Sequence, residues 1–239
     1  MTNSTKIVAV VPAAGVGSRM GADRPKQYLT LHGKTVLEHT LTCLSTHPQI
    51  DSVIVAISPG DEYFASLSIA DANWLVRVDG GKERADSVLN ALQVVEDDAW
   101  AMVHDAARPC LSHSDIDNLI NQAMSGQWAG GILASPVRDT MKRALPSEDA
   151  VDVISHTESR DALWHALTPQ LFPAKLLRNA LEDGLAKQLM ITDEASAIEA
   201  MGHRVKLVAG NPANIKITHP DDMPLASFYL HNIQDSQCE

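Results

Sequence analysis

The chain predicts an α/β fold: a Rossmann-like, doubly wound, mainly parallel sheet with a projecting β-hairpin arm. Two observations carry that expectation. Short, near-continuous apolar runs alternate with segments of helical periodicity, as strands buried on both faces and their covering helices require. Between residues 136 and 160 the alternation breaks into two extended runs around a Pro-Ser-Glu-Asp turn, a hairpin inserted into an otherwise α/β chain.

The expected strands are Ile7–Val11, Val53–Ile57, Leu75–Val78, Trp100–His104 and Gly131–Ala134. Between them, Thr35–Thr46 carries Val36, Leu37, Leu41 and Leu44 at helical spacing, and Arg84–Glu96 carries Val88, Leu89, Leu92 and Val95. Ser114–Met124 opens on a Ser112 or Ser114 cap with acidic residues in its first turn. In the hairpin, Thr140–Ala144 should pair with Val151–Ser155; such a pair cannot bury its own apolar face, so a second subunit is a natural cover. Helices are expected over Pro173–Ala186, Thr192–Met201 and Pro220–His231, with a strand at Arg204–Val208. The 239 residues read as one domain, 1–239, with 136–160 as an inserted dimerisation arm.

Composition narrows the function. A 45% hydrophobic content supports a full core, and a net charge of −11 argues against a nucleic-acid partner while leaving a nucleotide open. The 3 cysteines, Cys43, Cys110 and Cys238, show no metal-ligand or disulfide spacing, which fits a reducing, cytoplasmic compartment. No signal-peptide pattern opens the sequence, and no apolar run approaches the ~20 residues of a membrane helix.

In doubly wound sheets ligands bind beyond the carboxyl ends of the strands, so the chemistry is sought there. After the first strand, Pro12-Ala13-Ala14-Gly15-Val-Gly17-Ser-Arg19 leads to Lys26. Small residues at Gly15 and Gly17 permit close backbone approach, and Arg19 and Lys26 supply charge for a phosphate chain. The spacing matches neither the P-loop nor the dinucleotide fingerprint. After the third strand, Gly80-Gly81 could approach a flat ligand such as a base, with Ser87 adding a hydroxyl, or it could simply be a helix-entry turn. After the fourth, Asp105 is either a Mg²⁺ ligand beside substrate phosphates or a turn cap. Arg108 could steer a second anion or pair with a carboxylate. In Asn214-Ile215-Lys216-Ile217-Thr218, a strand would turn Lys216 away from its apolar neighbours, toward the site or toward solvent. Thr192-Asp193-Glu194-Ala195 reads as a helix cap with acidic first-turn residues. Neither His104, beside the sheet, nor His165, in a turn, reads as catalytic.

Together these segments resemble the cytidylyltransferase family that joins CTP to 2-C-methyl-D-erythritol 4-phosphate in the non-mevalonate isoprenoid pathway. The resemblance runs from Val11 to Thr218. It rests on Val-Pro-Ala-Ala-Gly-x-Gly-x-Arg-Met with Pro25-Lys-Gln-Tyr28, on Gly80-Gly-x-x-Arg84-x-x-Ser87 and on His104-Asp-Ala-Ala-Arg-Pro109. Pro136-Val-Arg-Asp-Thr-Met-Lys142, Leu163-Trp-His-Ala-Leu-Thr-Pro-Gln170, Thr192-Asp-Glu-Ala195 and Asn214-Ile-Lys-Ile-Thr218 complete it. The first block alone fits many sugar-nucleotide transferases; the arm and the Leu163–Gln170 block are narrower.

The resemblance implies in-line attack of the substrate's 4-phosphate on the α-phosphorus of CTP, with pyrophosphate leaving. It gives Arg19 and Lys26 as transition-state stabilisers and Asp105 as the Mg²⁺ ligand. Backbone near Ala13, Ala14 and Gly81, with Gly15, Gly17 and Ser87, would hold the nucleotide. Thr140, Arg160 and Lys216 would hold the methylerythritol phosphate, with the arm reaching into the other subunit of a homodimer. Lys82, where related chains carry an acidic residue, and the spacing around residues 127–130 depart from the family pattern. A sibling cytidylyltransferase for another alditol phosphate, such as ribitol 5-phosphate, is the nearest alternative. An idle nucleotide-binding protein would be expected to lack Arg19, Lys26 or Asp105, and a purely structural protein would not need the cations and glycines after the first strand.

Overall fold

The computed structural model describes residues 5–15, 23–145 and 153–236. Eleven strands and six α-helices are present among them, with two short 3-10 turns at Lys26–Tyr28 and Phe64–Ser66. In chain order these are β1 (Ile7–Pro12), β2 (Thr30–Leu31), β3 (Lys34–Thr35), α1 (Val36–Ser45), β4 (Ser52–Ile57), β5 (Leu75–Asp79) and α2 (Arg84–Leu92). There follow β6 (Trp100–Val103), α3 (His113–Ala123), β7 (Gly131–Pro136), β8 (Met141–Ala144), β9 (Ile154–Glu158) and β10 (Trp164–Pro173). The chain ends with α4 (Ala174–Ala186), α5 (Glu194–Ala200), β11 (Lys206–Ala209) and α6 (Asp222–Ser236).

Seven strands form the central sheet in the order β11-β7-β10-β6-β1-β4-β5. All neighbours run parallel except β10, which is antiparallel to both β6 and β7. From β1 the chain winds outward through β4 to β5, then crosses back to β6 on the other side of β1. The order therefore reverses between β1 and β6, where an open α/β sheet leaves a crevice for a ligand.

Strand alternation sorts the core into two layers. Ile7, Ala9 and Val11 face a cluster with Leu37, Leu41 and Leu44 of α1 and Ile116 and Leu119 of α3. Val8 and Val10 face the opposite cluster, with Val88 and Leu92 of α2, Leu177 and Leu181 of α4 and Ile198 of α5. Every other residue of one strand thus enters each layer, the period of two expected of a strand covered on both sides. A third cluster, Leu31, Val36, Ala107, Cys110, Ile217, Ala226 and Leu230, seats α6 beside the crevice.

Helix starts follow local chemistry. Thr35 caps α1: its side chain accepts from the Glu38 amide, and the Glu38 carboxylate accepts from the Thr35 amide at 2.8 Å. Ser112, the first of the two expected caps, starts α3 by accepting from the Asp115 amide. The α2 helix stops at Leu92, short of the expected Glu96.

Three expectations fail. β10 was unassigned and His165 was expected in a turn; His165 lies in β10. Its register shifts between Ala166 and Gln170, where Pro169 has no N–H to give the ladder, and a proline argues against a central strand in sequence. β5, expected to be buried on both faces, is an edge strand with Val76 and Arg77 exposed. The segment 214–218 is not a strand, yet the alternation survives: Ile217 is buried and Lys216 turns the other way.

The arm is a β8–β9 hairpin, pairing Met141 with Glu158 and Lys142 with Thr157. Its second strand lies three residues later than expected, at Ile154–Glu158, and the Pro-Ser-Glu-Asp turn lies outside the described residues.

Candidate active site

The crevice at the reversal point holds a cavity of about 310 Å³. Its wall includes Ala13, Ala14, Gly15, Lys26, Gly81, Ser87, Asp105 and Lys216, eight residues singled out from sequence. Gly17 and Arg19 lie outside the described residues. Thr140 and Arg160 are not brought to the cavity; both are exposed on the arm segment, and the Arg160 guanidinium donates to the Arg138 carbonyl.

One half of the cavity is backbone. The chain leaving β1 is tied down by Ala13 N–H to the Ala56 carbonyl (2.7 Å), Gln27 Nε2 to the Ala13 carbonyl (2.8 Å) and Ser58 Oγ to the Ala14 carbonyl (2.8 Å). Opposite it, the loop after β5 needs its two glycines for space rather than for backbone angle. A Cβ at Gly80 would stand 2.4 Å from Ala14 Cβ, and one at Gly81 would stand 2.2 Å from Asp86 Cβ. Ser87 accepts from the Gly81 amide at 3.0 Å and donates to the Glu83 carbonyl at 3.2 Å. Its hydroxyl therefore shapes the loop. At Gly15 a Cβ would meet nothing within 4 Å among the described residues.

The other half is charge. Asp105 accepts from Arg84 Nε at 3.0 Å on Oδ1 and from Arg108 Nε at 3.3 Å on Oδ2, and Lys216 Nζ sits 2.9 Å from Oδ2. Burial alone would raise its pKa; Arg84, Lys216 and Arg108 overcome that and hold the carboxyl well below the usual carboxylate range. Arg108 thus takes the carboxylate-pairing role, and its Nη1 donates to the Asn214 carbonyl at 2.7 Å. Lys26 donates to the Ile217 carbonyl at 2.8 Å, placing its ammonium on the cavity wall beside the Lys216 segment.

The turn that carries Asp105 is fixed from behind. Thr168 Oγ1 accepts from the Asp105 amide at 3.0 Å and lies 3.0 Å from His104 Nδ1; His104 Nε2 lies 3.0 Å from the Arg108 carbonyl. A carbonyl can only accept, so Nε2 carries the hydrogen and Nδ1 receives the threonine hydroxyl. Burial pulls the pKa of His104 down to about 4, so the ring is neutral.

A second cavity, of about 250 Å³, shares Arg84, Asp105 and Lys216 with the first and adds Arg108, Thr168, Gln170 and Asp193. Sequence reasoning missed Arg84, Thr168 and Glu194 as site-building residues. Arg84 stood in a matched motif without a role. Glu194 was read as part of a helix cap, but Asp193 and Ser196 do the capping. Glu194 is 1% exposed and accepts from Arg84 Nη1 at 2.6 Å and Nη2 at 3.1 Å. Lys82 is exposed on the cavity rim.

Among the described residues no group of three or more His, Cys, Asp or Glu side chains converges as a metal cage. Asp105 nonetheless keeps one acceptor direction open to an ion such as Mg²⁺. That ion needs one or two carboxylates plus substrate phosphates, and of roughly four lone-pair directions on a carboxylate, Asp105 has three occupied.

Comparison with known proteins identifies the family and the fold. Residues 7–232 match the IspD family model, 2-C-methyl-D-erythritol 4-phosphate cytidylyltransferase. The chain is similar to proteins of that name from Alteromonas mediterranea (63% identity, covering 95% of this chain and 94% of the relative) and Vibrio vulnificus (57%, covering 97% of each). The fold is similar to the crystal structure of the Francisella tularensis 2-C-methyl-D-erythritol 4-phosphate cytidylyltransferase, with a TM-score of 0.81 and 36% identity over 94% of this chain and 100% of that one.

Proposed function

The chain belongs to the 2-C-methyl-D-erythritol 4-phosphate cytidylyltransferase family, and from that premise we propose how its site divides the work. The enzyme transfers the cytidylyl group of CTP to 2-C-methyl-D-erythritol 4-phosphate, giving 4-diphosphocytidyl-2-C-methyl-D-erythritol and pyrophosphate. The relatives support this substrate and lend no support to a ribitol 5-phosphate enzyme.

In our reading the larger cavity takes CTP. Its backbone half, Ala13–Gly15 facing Gly81, offers peptide groups to a flat base, and Ser87 keeps the Gly81 loop open. The triphosphate lies toward Lys26, and Arg19, outside the described residues, is the second cation that the family resemblance gives. As the attacking phosphate oxygen closes on the α-phosphorus, negative charge gathers on the α-phosphate oxygens. Fixed cations aimed there stabilise the transition state more than the ground state. Asp105 is the residue that would hold Mg²⁺, which when bound neutralises phosphate charge and polarises the phosphoryl oxygens.

The second cavity takes the alditol phosphate. Lys216 and Arg84 line both cavities, so the two reactants lie on adjacent sides of one cationic wall, as direct transfer requires. Thr140 and Arg160 complete that subsite from the arm of a second copy. Supporting this, Leu145, Val153, Ile154 and Leu163 are apolar and exposed on and beside the hairpin. A homodimer would cover them and make each site composite. A cytoplasmic location belongs to the same proposal; the described thiols, Cys43 and Cys110, are free, in keeping with a reducing compartment.

The convergence of Lys26, Asp105 and Lys216 with the Ala13–Gly15 and Gly81 backbone on one cavity carries the reading. Pyrophosphate release tests it, with each nucleoside triphosphate against 2-C-methyl-D-erythritol 4-phosphate and ribitol 5-phosphate. CTP with the methylerythritol phosphate should dominate by a wide margin. Equal turnover of ribitol 5-phosphate would refute the substrate assignment.

A further inference from the structure

We propose that Glu194 is a positioning residue: from the far side of the site it locks the Arg84 guanidinium in the orientation that presents Asp105 to the reactants. The inference rests on Asp105 belonging to the reaction's machinery.

Arg84 is the first residue of α2 and Glu194 the first of α5, 110 positions apart in sequence. All three guanidinium nitrogens are committed. Nη1 and Nη2 grip the two oxygens of Glu194 as a fork, and Nε reaches Asp105 Oδ1. A bidentate pair fixes the plane of a guanidinium, not merely its position. With that plane set, Nε can point only one way, and Asp105 Oδ1 lies there. Oδ2 is left to Arg108 and Lys216, the latter on the side shared by both cavities.

Glu194 itself lines neither cavity. Its anchorage is rigid: the Gln170 side chain joins Asp193 Oδ2 (2.8 Å) to the Ala195 amide (2.9 Å), binding the start of α5 to β10. Without the fork, Arg84 is a cation on the wall of the larger cavity, able to turn toward phosphate and away from Asp105. Substrate would still bind, but Oδ1 would lose its fixed donor and the carboxylate would be held through Oδ2 alone, free to turn about it. The consequence is a loss in kcat with little change in KM for CTP, since a displaced group near the reacting atoms costs rate before it costs affinity.

The test compares Glu194→Gln, Arg84→Gln, the double variant and Glu194→Asp for kcat, KM and thermal stability. Arg84→Gln leaves the buried Glu194 charge without its cation and should unfold at lower temperature, whereas Glu194→Gln leaves Arg84 still paired with Asp105 and should lose less; the double variant removes the stranded carboxylate and should regain part of the Arg84→Gln loss. Catalysis should not follow. All three should lose kcat by a factor on the order of 10 to 10², with the double no better than Arg84→Gln. Glu194→Asp keeps the charge and withdraws it by one methylene; it should fold normally and still lose kcat severalfold, which preserves the test if the Gln variants do not fold. Wild-type kcat in Glu194→Asp or Glu194→Gln, or recovery of kcat together with stability in the double variant, would overturn the inference. A wild-type enzyme that released no pyrophosphate from CTP and 2-C-methyl-D-erythritol 4-phosphate would instead defeat the functional reading.

Discussion

The charged wall at the end of β6 and the β8–β9 arm differ in what holds them. Asp105 is held by Arg84, Arg108, Thr168 and Lys216, and Glu194 holds Arg84 in turn. The arm relies on its own hairpin. Its polar links, Arg143 to Glu158 at 3.0 Å and Lys142 to Thr157 at 2.6 Å, are solvent-facing and individually weak. A cluster held from many directions is preorganised before substrate arrives, which is what electrostatic stabilisation of a transition state needs. The hairpin leaves Ile154 and the adjoining Val153 exposed, because two strands alone cannot bury their own apolar face. The difference teaches that the two cavities are walled by one chain, whereas the arm leaves apolar surface uncovered; in the function proposed above, the arm of a second copy completes the alditol subsite.

The largest effect should come from the preorganised side. Lys26→Ala should lower kcat by a factor on the order of 10² or more while sparing the fold. Steady-state kinetics decide it, and an undiminished kcat would remove Lys26 from the transition state. The arm should respond differently. Arg160→Ala should raise KM for the methylerythritol phosphate on the order of tenfold, with KM for CTP unchanged, as expected for loss of one charge-assisted contact. Equal damage to both constants would erase the distinction between the two regions.

A smaller effect probes how the wall is held. His104 is neutral in the folded protein, its pKa near 4, and titrates near 6.5 when unfolded. Between those values the unfolded chain binds the extra proton, so folding stability rises with pH across the window and is lost as pH falls through it. Full protonation mismatch over that span is worth roughly 3 kcal/mol. His104→Gln should flatten the pH dependence of denaturant midpoints between pH 4 and 6.5. An unchanged slope would mean that His104 is not the proton-linked anchor of the Asp105 turn.

The same contrast explains what was legible in sequence. Strands such as Ile7–Pro12 and Ser52–Ile57 are buried on both faces, so burial writes a continuous apolar run into the chain. Loop residues that face the ligand were legible for a similar reason: glycines and cations after an apolar strand have few other uses, and Lys26, Gly81, Asp105 and Lys216 do meet at one cavity. β10 was hidden because its burial is uneven, with His165 and Ala166 exposed and Thr168–Phe172 buried, and because Pro169 interrupts it. Glu194 was hidden because a first-turn acid has a sufficient local explanation, and only the fold brings Arg84 to it across 110 residues. Long-range ion pairs leave no period and no spacing in a single sequence. Thr140 and Arg160 were named through family resemblance, and one chain alone does not bring them to the cavity.

Whether the two regions meet across a subunit boundary is tested most directly by mixing. Lys26→Ala and Arg160→Ala chains, each impaired alone when the methylerythritol phosphate is held well below the wild-type KM, are combined in equal amounts at that concentration, and exchange is verified by mass. If arms are shared in a symmetric homodimer, half of the mixed dimers' sites regain both residues, and activity should return to about a quarter of wild type. Verified exchange with no gain over the separate variants would mean that each site is built from a single chain, and the account of a composite site would be wrong.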